Sequence, residues 1–173
     1  IPTRCGPFRF GLAEVMGNQS ETTVPFDEYA RMVSKMRRIG GLYVYREGIR
    51  ILPYGDTDFD WLDIEFNRSK GAGYYHFSYR RMFGVVEITN ERNAALHEKA
   101  GREGFRENQA YRQFRDILKN FLLQVVADFF REGGARAEDF EARKAELKRL
   151  DKARKKRENE VKARKAKLVE ELQ

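Results

Sequence analysis

Short runs rich in β-branched and aromatic residues, set against one long helix with an apolar stripe, predict an α+β fold. The expected form is a small, mostly antiparallel sheet with helices on one face, followed by a charged helical arm. Three features carry this reading. Residues 42–46 and 49–52 read as strands joined by Glu47-Gly48, a pair suited to a tight hairpin because glycine takes positive φ at little cost. Residues 81–88 are β-branched enough to form a further strand. From Tyr111, the residues Phe114, Ile117, Leu118, Phe121, Leu122, Val125, Val126, Phe129 and Phe130 recur at helical spacing and need a surface to pack on.

The remaining elements follow in order. Residues 6–12 alternate aromatic and other side chains, as a strand does, and a polar loop over 17–23 comes next. Phe26, Tyr29, Met32, Val33 and Met36 repeat at helical spacing after Pro25, and Gly40-Gly41 stops them, so 26–38 is expected to be a short helix. Pro53-Tyr54-Gly55 ends the hairpin and opens an acidic loop through Asp63. The run from Tyr74 to Arg81 is expected to alternate between core and surface along a strand. Gly133-Gly134 breaks the chain after the apolar helix. Beyond it Phe140, Leu147, Leu150, Val161, Leu168 and Leu172 draw a thin apolar seam, with Arg154 where a heptad wants an apolar side chain. The expected division is a 1–133 domain and a 134–173 arm or weak coiled coil.

The 173 residues suffice for one domain of ordinary size with an appendage. The chain opens on Ile1 rather than Met, so it reads as a segment of a longer protein. No stretch approaches the roughly 18 consecutive apolar residues of a membrane span, and no membrane partner is expected. A single cysteine, Cys5, offers no disulfide and points to a cytoplasmic setting. The net charge of +7 is uneven: residues 135–173 hold 14 Lys/Arg against 9 Asp/Glu, so the tail carries +5 and the first 134 residues only +2. Basic character in the arm makes it the candidate contact for a nucleic acid, although interleaved glutamates also describe a solvated helix face.

The chemistry concentrates at Gly101-Arg102-Glu103-Gly104-Phe105-Arg106-Glu107-Asn108. These residues place an arginine on a glycine-flanked turn immediately before the apolar helix. A guanidinium is planar, permanently charged and able to grip two oxygens at once, which suits a phosphate. Glu103 is expected to brace the turn or Arg102, and Gly101, Gly104 and Asn108 to support its shape. The plainer alternative is a surface Arg102 paired with Glu103 or Glu107, an interaction of little energetic weight.

The strand Phe83-Gly84-Val85-Val86-Glu87-Ile88, a polar stretch, the Arg102 turn and the apolar helix together resemble the middle segment of the ninety-kilodalton heat-shock chaperones. There a similar strand leads to a serine-arginine-glutamate turn and a long helix. The MORC ATPases, DNA gyrase B and MutL-type proteins carry comparable turns, and all belong to the GHKL class of ATPases. The resemblance spans about residues 6–131. It departs from the pattern where Gly101 replaces a serine or asparagine, and where arginine stands instead of the lysine of the DNA-linked families.

The resemblance implies a transducer domain, inactive alone. It would couple the ATP state of an upstream ATPase domain of the same protein to conformational change. ATP and Mg²⁺ would bind that upstream domain, and Arg102 would reach the γ-phosphate as an arginine finger does. The parent could be chaperone-like with a protein client, or could handle nucleic acid, and the arm could form a homodimer.

Other sites are weaker. Asp56-Thr57-Asp58-Phe59-Asp60 mimics the start of a calcium loop, but Trp61 stands where glycine is needed and Asn67 where a glutamate is needed. Gly71-Ala72-Gly73 is too short to cradle a phosphate. His76, His97 and Cys5 have no zinc spacing, so no metal is expected.

Overall fold

The computed structural model describes residues 3–71, 74–101 and 103–171, with 169–171 given by their helical backbone. Four strands form one mixed sheet in the order β1-β4-β2-β3: β1 Arg9–Glu14, β2 Gly41–Arg46, β3 Ile49–Arg50 and β4 Met82–Ile88. The outer pairs β1·β4 and β2·β3 are antiparallel, while the central pair β2·β4 is parallel. The helices are α1 Phe26–Ile39, α2 Ile64–Lys70, α3 Gln109–Val125 and α4 Ala137–Glu171. The expected α+β class therefore stands, with a mixed sheet.

Period-2 alternation decides which side of the sheet is dry. Register places Phe10, Val86 and Val44 across one face, with Leu12, Gly84 and Leu42 in the next row. Leu42, Val44, Met82 and Val86 are fully buried there. The apolar stripe of α3 covers this face, with Phe114 edge-on to Phe8 at 5.1 Å and Phe121 edge-on to Phe10 at 5.3 Å. Trp61 stacks on Phe114 at 5.7 Å and donates its indole N–H to the carbonyl of Leu42 at 3.0 Å. Truncating a wholly buried ring such as Phe114 in a core of this kind costs about 3–5 kcal/mol. The opposite face carries Ala13, Phe83, Val85, Tyr43 and Tyr45, which are half-buried or exposed.

Several expectations need correction. The first strand starts at Arg9 rather than residue 6 and continues to Glu14. The hairpin turn has positive φ at both Glu47 (50°) and Gly48 (78°), but ladder pairing beyond it stops at Arg50, short of residue 52. Residues 74–81 are not a strand, because Phe77, Ser78 and Tyr79 are buried in succession and no alternation exists. Their backbone instead closes a tight turn, with the N–H groups of Arg81 and Met82 both donating to the Ser78 carbonyl. The acidic stretch before residue 64 leads into a helix, α2, that no apolar period announced.

The long helix runs regularly to Val125 and then widens into a π turn over Val126–Phe130. Phe129 and Phe130 project from that turn onto Phe140 in the first turns of α4, at 6.4 and 5.1 Å. The arm is thus seated at its base, and Lys148 reaches the Ser20 carbonyl at 2.9 Å. Further out, Leu147, Leu150, Val161 and Leu168 are more than half exposed.

Candidate functional site: a braced turn ahead of helix α3

Residues 97–99 and 104–106 pair with each other across a short projection. Glu98 and Phe105 form an antiparallel bridge, the Lys99 N–H donates to the Gly104 carbonyl at 2.9 Å, and the Arg106 N–H donates to His97 at 2.8 Å. Lys99, Ala100, Gly101 and Glu103 are exposed at the tip, whereas Gly104 and Phe105 at the base are buried. Gly104 has φ +85°, a conformation that any side chain would strain, and a Cβ there would also meet the Tyr54 hydroxyl at 3.1 Å.

Three anchors hold the base. The Tyr54 hydroxyl, 2 % exposed, accepts the N–H of Phe105 at 3.0 Å, and the rings of Trp61, Phe105 and Tyr111 enclose it. Burial chiefly, and the neighbouring Tyr111 hydroxyl next, push the Tyr54 phenol far above its ordinary range, so it stays neutral. Arg46, at the end of β2, pairs with Glu98 at 3.3 Å, donates to the Leu96 carbonyl, and lies 5.6 Å from the centre of the Phe105 ring. Asn93 is completely buried, and its amide donates to the carbonyls of Cys5 and Pro7 while its oxygen accepts from the Thr89 N–H. It ties the strand-to-turn connection to the N-terminal segment.

Of the residues expected to support the turn, Asn108 has the clearest role. It is the N-cap of α3, accepting from the Tyr111 N–H at 2.8 Å and donating to the Ala95 carbonyl at 2.9 Å. Gly104 supplies the positive φ. Glu103 bridges to Leu52 through its backbone. Its side chain makes no ion pair among the described residues. Gly101 is exposed at the tip with space around it. Glu107 approaches Arg115 at 3.9 Å. Arg102 itself lies outside the described residues. Sequence reasoning missed Tyr54, Arg46 and Asn93 as braces. Only Tyr54, next to a glycine and a proline, left a trace.

The acidic loop is engaged in structure. Asp56 pairs with Arg50, and Asp60 accepts the Glu65 N–H at 2.7 Å while its other oxygen is buried without a partner. Burial raises the Asp60 carboxyl above the usual carboxylate range. Asp63 pairs with Arg115 and Lys119. Among the described residues no three His, Cys, Asp or Glu side chains gather as a metal ion would require, and no helix is long and apolar enough to cross a membrane. A separate cavity of about 360 Å³, between α2, α3 and residues 75–77, shares no residue with the turn. There His76 stacks on Phe130 at 3.9 Å and faces Glu14 at 3.4 Å.

What the fold and the turn define is a two-layer α+β domain that presents an exposed loop from a rigid base. Compared with protein-family models, curated proteins and solved structures, the chain matches none.

Proposed function

We propose that this chain is a transducer domain of a GHKL-type ATPase. It would carry the nucleotide state of an adjoining ATPase domain into movement of α3 and α4. Arg102 would contact the γ-phosphate of the Mg²⁺-bound ATP held by that neighbour. The observation that supports this reading is the exposure of Lys99, Ala100, Gly101 and Glu103, on either side of Arg102, above a base fixed by Tyr54, Arg46 and the Asn108 cap. A side chain that must meet a phosphate in another domain has to leave its own domain, and it gains most when the backbone beneath it is ordered beforehand. The turn also leads without a break into α3, so a pull on the tip reaches the core helix directly. Such a contact exists only with triphosphate present, and docking of the two domains then depends on nucleotide state.

The test is ATP turnover by the protein that joins this segment to its natural upstream region. Arg102→Ala is expected to lower kcat on the order of 100-fold, as loss of a transition-state charge contact does. Arg102→Lys should recover part of it. A rate unchanged by Arg102→Ala defeats the assignment.

A second reading is supported by α4, whose basic side chains are mostly exposed along 35 residues. It makes the arm a contact for nucleic acid. Binding of that kind weakens steeply with salt and disappears when residues 135–173 are deleted. Part of the arm's charge is internally used, since Asp151 pairs with Arg154 and Lys155.

A further inference from the structure

The geometry points to a phosphate-binding site in the cleft where α1, α2 and the Ser78–Arg81 turn meet. This cleft, about 730 Å³, is lined by Arg37, Arg68, Arg80 and Arg81 against only two carboxylates, Asp58 and Glu65. The occupant it fits is a chain of phosphate groups, carried either by a free polyphosphate or nucleotide or by a nucleic-acid backbone. The inference stands apart from the Arg102 turn and does not rest on the transducer reading.

Four arginines against two carboxylates leave an excess of two positive charges, and Glu65 is turned to the Ser78–Arg81 turn rather than to a guanidinium. Glu65 accepts from the Ser78 hydroxyl and from the Arg80 N–H, which holds it on the floor of the turn. Glu14, just behind, accepts the Ser78 N–H, faces His76, and comes only within 4.0 Å of Arg81. Among the described residues Arg37, Arg68 and Arg80 have no carboxylate within 4.0 Å. The Nε atoms of Arg68 and Arg81 are buried without a hydrogen-bond partner, an arrangement that costs free energy unless something else accepts from them. A phosphate in the cleft supplies acceptors to the guanidinium groups that line it, which match it two oxygens at a time.

Placement of the arginines is fixed rather than incidental. The Ser78–Arg81 turn is held by three backbone or side-chain bonds to Glu14 and Glu65, so Arg80 and Arg81 leave it in defined directions. Arg81 lies across Gly17, where a Cβ would sit 2.9 Å from its Nη1. Arg37 comes from the last turn of α1, a helix held at its two ends by the Tyr29 hydroxyl on the Met16 carbonyl and the Tyr43 hydroxyl on the Ile39 carbonyl. The volume exceeds one phosphate and leaves room for several in a row.

Calorimetric titration of the 173-residue chain with inorganic tripolyphosphate, and separately with a single-stranded oligothymidylate, tests the site. Sodium sulfate at matched ionic strength serves as the non-specific control. Arg37→Gln and Arg80→Gln change exposed side chains and should leave folding intact. Each is expected to weaken tripolyphosphate binding about tenfold, as loss of one charge-assisted contact does. Arg68→Gln, with its melting curve recorded, should do at least as much. Arg112→Gln, an exposed change on α3 outside the cleft, should leave the affinity unaltered. Oligothymidylate binding that falls with the same cleft variants identifies a nucleic-acid backbone as the source; tripolyphosphate binding alone identifies a free phosphate chain. Absence of binding by both, equal binding of sulfate, or binding indifferent to all three cleft arginines overturns the inference.

Discussion

Replacing Tyr54 by phenylalanine should loosen the turn that carries Arg102 while sparing the core around it. The ring stays, and with it the contacts to Trp61 at 4.9 Å and Phe105 at 5.3 Å. What leaves is one hydroxyl, and with it the acceptor for the Phe105 N–H, in a setting where Phe105 is 2 % exposed and water has no entry. An orphaned buried donor costs about 1–3 kcal/mol. In a chain of this length each kcal/mol lowers Tm by roughly 2–4 °C, so a fall of about 2–12 °C is expected. The more telling measurement is amide hydrogen exchange. The N–H groups of Phe105, Lys99 and Arg106 close the projection together, and about 1.4 kcal/mol of lost closure speeds their exchange tenfold. Amides in the middle of β4 should change only as far as global stability does. If protection at Phe105 and Lys99 is unaltered, Tyr54 does not hold the turn, and the rigid base assumed for Arg102 is wrong.

Three further outcomes follow from buried polar groups. Because burial raises the Asp60 carboxyl in the folded state, its contribution to stability is greatest below the ordinary aspartate range near pH 4 and declines as pH rises through the raised native value. Asp60→Asn keeps an oxygen for the Glu65 N–H and removes the charge. Urea unfolding should therefore show the variant gaining on the wild type at about pH 7 relative to about pH 3, and a gain confined to acid would refute the assignment. Burial pushes the Tyr79 phenol up to about 12, so its share of stability is intact below about pH 10 and is lost as pH rises through the native value. The share of tyrosinate absorbance that Tyr79→Phe removes should then appear together with alkaline unfolding, and the variant should flatten that part of the stability curve. Asn93→Ala strips partners from two carbonyls and one N–H and should cost on the order of 3 kcal/mol in chemical denaturation. Asn93→Asp should be no milder, since a carboxylate would face carbonyl oxygens.

Local pattern carried the fold class, the hairpin and α3, because each depends on neighbours two to four residues apart. Tyr111, Phe114, Leu118, Leu122 and Val126 of the stripe are buried where the period places them, while Phe121 stays 47 % exposed, and Glu47-Gly48 turns as its backbone preference requires. Asn108, expected from the sequence only to support the turn, caps α3 as well, three residues from the N–H it satisfies. The 74–81 run misled because three successive buried residues cannot follow strand alternation. There burial comes from α2, α3 and the sheet closing around a turn, not from a pleat.

By itself, then, the sequence determined the fold class, the 47–48 hairpin and the places of α1, β4 and α3, where charge collects, and that an arginine stands between glycines ahead of α3. Only tertiary structure decided that Tyr54, 51 residues from Phe105, supplies the acceptor its N–H needs, and that Asn93 spans 88 residues to Cys5. It likewise brought Arg37, Arg68, Arg80 and Arg81, from three separate elements, to one cleft. The physical reason is range: backbone preference and apolar period act within a turn or two, whereas a buried donor or charge takes whatever partner the packed chain sets beside it.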